Sequence, residues 1–280
     1  MAVPDAPPPA PPSRRPSRVT SRRTFLAGAA AGIGALLAAC GDGGGAAAGG
    51  PAGAPASGGA ATSAAPATTP ATTVASSARF VVSGPATKSR VALTFHTNGD
   101  IDLADQLLGV LASRNVQMTS FVVGNWLDAN PYMAKRIGDA GHEFANHTYT
   151  HPSFLALGRD AQLAEVTRCR DVLVRLTGGP GVAFRPSGTD DGTVPPGDQV
   201  LSVAAAAGYP TVLGFDVDPF DYQDPGAPAV TSRTLAAVKP GGIVSLHFGH
   251  PGTITALPAI LDGLDARKLT PVTVSKLLAG

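Results

Sequence analysis

From residue 79 onward short β-branched runs alternate with stretches whose apolar residues recur at helical spacing, and this alternation limits the folds open to the chain. "RVALTF" reads as a strand, "LADQLLGVLASRN" as a helix with Leu103, Leu107, Leu108 and Leu111 on one face, and "QMTSFVVG" as a strand again. The alternation continues with a helix near 131–140, "GHEFANHT" as strand then loop, a helix near 160–177 and "GVAFRP". It ends with a helix near 199–207, "PTVLGFDVD", a helix at 232–238, "GIVSLHFG" and a helix at 257–268. Strands that alternate with helices of this length predict a parallel α/β sheet or barrel whose site lies at the carboxyl ends of the strands. No strand is followed by G-x-G-x-x-G or a P-loop, so nucleotide binding has no support.

The first 78 residues do not share this pattern. "SRRTFLAGAAAGIGALLAAC" sets Arg22 and Arg23 before an apolar run of 15 residues, Phe25 to Ala39, which is shorter than the roughly 20 residues of a membrane-spanning helix. Ser-Arg-Arg-Thr-Phe-Leu resembles the twin-arginine export signal, and Leu-Ala-Ala-Cys resembles a bacterial lipobox, which implies that Cys40 is lipidated and becomes the new N-terminus. Residues 1–39 are then an export segment, and the mature protein is anchored by its lipid at the outer face of the cell membrane. Residues 40–78, rich in Gly, Ala, Pro and Thr and carrying one charge, bury too little surface to offset the entropy of ordering, so a flexible tether is expected before a folded domain over 79–280. Without residues 1–39 the chain keeps 16 basic and 19 acidic residues, a net charge of −3 with neutral His, which gives no footprint for nucleic acid. Besides Cys40 only Cys169 remains; it is expected in the core.

Polar residues gather at the predicted strand ends. Of six histidines, His96, His147, His151, His247 and His250 lie at or just past them. His147 and His151 are four apart, a spacing that presents two imidazoles on one side of a turn. Arg185 leaves the strand in "FRPSG", and Asp216, Asp218 and Asp221 leave the one in "FDVDPFDYQD". Charges at buried strand ends must pair or bind something, because an unpaired buried charge is costly.

In this order the motifs "TF", "NHTYTH", "FRP", "DVDPFDY" and "IVSLHFGH" resemble the NodB-type polysaccharide deacetylases, carbohydrate esterase family 4, over residues 79–280. The resemblance implies a distorted (β/α) barrel of seven or eight strands and removal of acetyl groups from N-acetylated sugars with a divalent metal, often zinc. It implies His147 and His151 as metal ligands, Arg185 as the residue orienting the catalytic base, His247 as general acid, and Asp218 among the catalytic groups. It implies Asp216, Asp221 and Tyr222 along the substrate groove, with Tyr222 where the family usually has Trp. The family's T-F-D-D-G is here Thr94, Phe95, His96, Thr97, Asn98, Gly99, Asp100, so both of its carboxylates, base and third ligand, are missing.

An imidazole accepts a proton near neutral pH, so His96 can replace the base, while Thr97 offers only a neutral hydroxyl. Asp100, three residues further on, can then be the third ligand; alternatively His96 is that ligand, or no catalytic metal is held. Asp100 also stands where a helix cap is expected. The reading is an exported hydrolase of N-acetyl, or else O-acetyl, groups of peptidoglycan or a chitin-like glycan. Its rivals are a glycan-binding lipoprotein without activity and a hydrolase of small amides on the same scaffold. His142 is expected to be structural, Asp190 and Asp191 solvated, and Trp126 packed under a helix; His250 has no assigned role.

Overall fold

The computed structural model describes residues 77–279; the expected export segment, Cys40 and nearly all of the tether lie outside the described residues. Strand β1 (Arg79–Val81) precedes β2 (Arg90–Thr97) and helix α1 (Ile101–Ser113). Then come β3 (Thr119–Val122), α2 (Gly124–Ala129), α3 (Tyr132–Asp139), β4 (Glu143–Asn146) and α4 (Arg159–Thr177). The second half holds α5 (Asp198–Ala206), β5 (Thr211–Leu213), α6 (Ala227–Ala237), β6 (Ile243–His247), α7 (Pro251–Ala266), β7 (Thr270–Val272) and α8 (Val274–Leu278). Among the described residues no helix is long and apolar enough to cross a membrane.

Every strand pairing is parallel. β2 lies between β3 and β6, β4 pairs with β3, and β7 pairs with the first three residues of β2. Single bridges carry the ring onward, from Asn146 to Phe184, from Phe184 to Val212, and from Val217 to Val244 on β6. The circuit is thus a distorted (β/α) barrel, as expected. Residues 91–97 of β2 are all buried, which is how a strand covered on both faces reads. Outside the ring, Leu107, Leu108 and Leu111 of α1 pack in one cluster with Leu257, Ile260 and Leu264 of α7. Each such side chain contributes roughly 1.5–3 kcal/mol on burial.

Two predicted strands are shorter than expected. "GVAFRP" is reduced to the bridge at Phe184, because Gly181 has φ 85° on one side and Pro186 follows on the other. "PTVLGFDVD" stops at Leu213: the amides of Asp216 and Val217 both donate to Ile243 O, a two-against-one pattern that bulges the strand away from β6. Both α6 and α7 begin five or six residues before the predicted starts, each with Pro in its first turn, where no amide hydrogen is needed.

His142, just before β4, is structural as expected: its Nδ1 accepts from Met118 N at 3.3 Å. The ring proton therefore sits on Nε2, which is buried without a partner, and burial pushes the ring's pKa down to about 4. Since the folded pKa lies below the unfolded value of 6.5, the unfolded chain binds the extra proton first. Stability is full above about pH 6.5 and falls towards pH 4, by on the order of 2 kcal/mol from this group. Urea unfolding at pH 7 and pH 4.5 should show that slope, to which the buried His96, His147 and His151 add with the same sign; His142→Gln should reduce it by this amount, and an unchanged slope would remove His142 as a contributor.

Candidate active site

All strands point the same way, so their carboxyl ends share one mouth of the barrel. Thr94 and His96, two apart on β2, face the interior, while Phe95 joins the outer core. Thr97 turns towards β3: its hydroxyl donates to Phe95 O at 3.2 Å and lies 2.5 Å from Ser120 Oγ.

β4 ends at Asn146, and the chain turns sharply. Thr148 and His151 have φ of 70° and 59°, a left-handed conformation that is strained for a β-branched residue. The turn is held from several sides. Thr148 N donates to Asn146 Oδ1 at 2.9 Å, and Glu165 of α4 accepts from Tyr149 N, Thr150 N and Thr150 Oγ1 at 2.8–2.9 Å. Nothing in the local sequence pointed to Glu165, which reaches the turn from the next helix.

His147 Nδ1 donates to Arg185 O at 2.9 Å, which leaves the lone pair on Nε2; that atom is buried and has no partner. One ring nitrogen each of His96, His147 and His151 lies within 4.8 Å of the other two. Burial, and then the neighbouring imidazoles, hold His96 and His147 well below the usual histidine range, and burial with His247 lowers His151. At neutral pH all three rings are uncharged, as metal ligation requires.

Arg185 fills the barrel interior beneath them and is 1% exposed. It donates to Leu213 O, Gly214 O, Thr94 Oγ1 and His96 Nε2 at 3.0–3.1 Å, and its guanidinium lies 4.0 Å from the Phe121 ring centroid. Burial pulls it down to about 9, so it stays charged at neutral pH. A guanidinium only donates, so Nε2 of His96 holds the accepting lone pair and its ring proton sits on Nδ1. In that state His96 offers the mouth an N–H, and the base role expected of it is not open. Ligating a cation through Nδ1 requires the other neutral tautomer of His96, its proton on Nε2 and the bond from Arg185 given up.

Opposite stands His247 at the end of β6. Asp221, 1% exposed, accepts from His247 Nδ1 at 2.7 Å, from His247 N at 2.8 Å and from Thr253 Oγ1 at 2.6 Å. Asp221 was expected along the groove; it lies buried behind His247 and fixes the ring so that Nε2 is free. The Tyr222 ring lies 5.2 Å from that of His247 and is 41% exposed. His96, His151, His247, His250, Tyr222 and Asn98 line one cavity of about 270 Å³.

Asp100 does not join this group. Its Oδ1 accepts from Leu103 N at 3.1 Å as the N-cap of α1, and the nitrogen cluster does not include it. The expected third ligand is thereby corrected to a helix cap: the cap geometry turns the carboxylate back onto its own helix. Asp100→Ala should cost about 1 kcal/mol in urea unfolding. Asp216, also expected in the groove, accepts instead from Ile243 N at 2.7 Å, with Lys239 Nζ at 3.7 Å, and staples the start of β6. Asp218 accepts from Phe220 N at 2.8 Å and lines an adjoining cleft with Asp190 and Asp191; burial raises its carboxyl pKa. Trp126 Nε1 donates to Gly99 O at 2.8 Å, and Cys169 is buried with its thiol pushed up to about 12, both structural as expected. Gly99 and Gly249, each at positive φ, pass with the Cα of one about 3.1 Å from where a Cβ on the other would stand, locking the β2 and β6 loops together.

Residues 83–212 match the family described as polysaccharide deacetylase. A chitooligosaccharide deacetylase of Sinorhizobium fredii is 34% identical over 198 residues, covering 67% of this chain and 83% of that one. A solved peptidoglycan N-acetylglucosamine deacetylase aligns at 27% identity with a TM-score of 0.66, over 71% of this chain and 92% of its own. A protein of Bacillus anthracis described as a family 4 carbohydrate esterase pseudoenzyme aligns at 25% identity with a TM-score of 0.64, over 72% of this chain and 69% of its own.

Proposed function

We propose, since the chain belongs to the polysaccharide deacetylase family, that residues 79–280 form a metal-dependent hydrolase of the acetyl groups on N-acetylglucosamine units of a peptidoglycan or chitin-like glycan. The observation that carries this reading is the buried, unpartnered lone pair of His147 Nε2 beside His96 and His151. An uncompensated buried acceptor is costly, and a cation satisfies it. His147, His151 and His96 would hold the metal, zinc by the all-imidazole donor set, with Asp100 left to its helix. A divalent cation there supplies polarisation of the acetamide carbonyl and acidification of a water. The chain's own residues do the rest. Asp221 holds His247 by Nδ1, so the Nε2 lone pair faces the cavity; it would take the proton of the attacking water and, as an imidazolium stabilised by Asp221, return that proton to the departing amine. Tyr222 and His250 form a rim on which a chain can lie, which favours a glycan over a small amide.

A second reading has its own observation. Arg185 occupies the single accepting lone pair of neutral His96, and such a site binds an acetamide through Nδ1–H without hydrolysing it. Acetate release from an N-acetylglucosamine oligomer by the full chain, with zinc and with chelator, separates the two. Zinc-dependent release that His247→Ala abolishes supports the hydrolase. Binding without release supports the second reading, and neither overturns both.

The same proposal includes location. The twin-arginine pattern and lipobox support export and a lipid anchor on Cys40, with residues 40–78 as tether. Labelled lipid that still enters Cys40→Ala would remove the anchor.

A further inference from the structure

Two carboxylate–imidazole pairs stand side by side at the mouth, Asp221 with His247 and Asp224 with His250, and proton delivery to the amine needs only the first. Asp221 and Asp224 are three apart: Asp221 opens the 3₁₀ turn Asp221–Gln223 and Asp224 caps it in a left-handed conformation. His247 and His250 are likewise three apart, at the end of β6 and the start of α7. The turn therefore delivers Asp221 Oδ1 to His247 Nδ1 at 2.7 Å and Asp224 Oδ1 to His250 Nδ1 at 2.9 Å. The two rings are 6.0 Å apart between centroids, comparable with the span of one pyranose ring, and both line the cavity.

The outer pair is not explained by stability. The Asp224 side chain is 64% exposed, and an exposed carboxylate–imidazole hydrogen bond of this kind contributes little to the fold. Asp224 nevertheless has φ 51°, a left-handed conformation that costs a residue other than Gly. What it achieves is an ordered His250, with Nδ1–H spent on the carboxylate and Nε2 left to the cavity as an acceptor. Tyr222 lies on the same turn between the two carboxylates, with its ring available to the apolar face of a sugar.

We propose that His250, held by Asp224, is a second substrate-contacting residue that accepts a hydroxyl from the sugar next to the one presented to His247. It thereby selects a chain over a single N-acetylated sugar. This rests on the reading of the cavity as a glycan site, so the test measures binding of both. The full chain is titrated calorimetrically with N-acetylglucosamine and with its β-1,4 tetramer, under conditions in which no acetate is released. Wild type is expected to bind the tetramer more tightly. His250→Ala should weaken the tetramer about five- to tenfold, the effect of one hydrogen bond, with the monomer's affinity within about twofold. His250→Gln, which keeps an acceptor, should recover most of the loss, and Asp224→Ala should fall between. Tetramer binding by His250→Ala equal to wild type would overturn the inference while leaving the glycan reading intact. A wild type that binds neither sugar would overturn both.

Discussion

Asp221→Ala is expected to lower acetate release about a hundred- to ten-thousandfold, the range that positioned acid–base groups supply. The carboxylate accepts three hydrogen bonds inside the protein, two from His247 and one from Thr253. Without it the His247 ring loses the bond that keeps the proton on Nδ1 and Nε2 toward the cavity, and the amide of His247 and the Thr253 hydroxyl lose their acceptor. Those orphaned donors should also cost about 1–3 kcal/mol of stability. Asp221→Asn keeps the shape but brings one acceptor oxygen for three donors, so it should fall nearer to alanine than to wild type. Measuring kcat and urea unfolding on the same preparations separates the two effects. A rate within threefold of wild type would mean that His247 is not the acid.

The second large effect is on the fold. Arg185→Met should destabilise the barrel by about 3 kcal/mol, because Leu213 O, Gly214 O and Thr94 Oγ1 lose their donor in the dry interior and the contact with the Phe121 ring is lost. An opposing contribution exists. Among the described residues Arg185 makes no hydrogen bond or ion pair with a carboxylate, so removing its charge recovers some desolvation. Four lost bonds outweigh that recovery because two of the acceptors are backbone carbonyls that cannot move to water. Equilibrium urea unfolding at pH 7 gives the sign directly. Equal or greater stability in the variant would mean that burying an unpaired guanidinium costs more than its bonds return.

Much of this architecture could be read from the chain because its causes are local. The buried run of β2 and the leucine spacing of α1 both announce themselves in a single window, and so do the histidines at the ends of β2, β4 and β6. What could not be read was set by contacts across the sequence. Asp221 is 26 residues from His247, and Asp224 is 26 from His250; only the packing of the 3₁₀ turn against β6 makes them partners. Glu165 secures the 148–151 turn from a helix that begins eight residues after His151. Asp100 is the opposite case: its capping bond to Leu103 is the most local interaction available, and it turns the carboxylate onto its own helix. Short elements such as β1, β7 and α8 carry too few residues for periodicity to mark them.

The claim on which the rest depends is that His96, His147 and His151 hold one cation. Elemental analysis of the full chain after exchange with zinc measures this most directly. About one zinc per chain is expected in wild type and in Asp100→Ala, with none retained by His147→Ala or His151→Ala. A wild type that retains no zinc, or retention lost with Asp100 and kept without His147, would contradict the account.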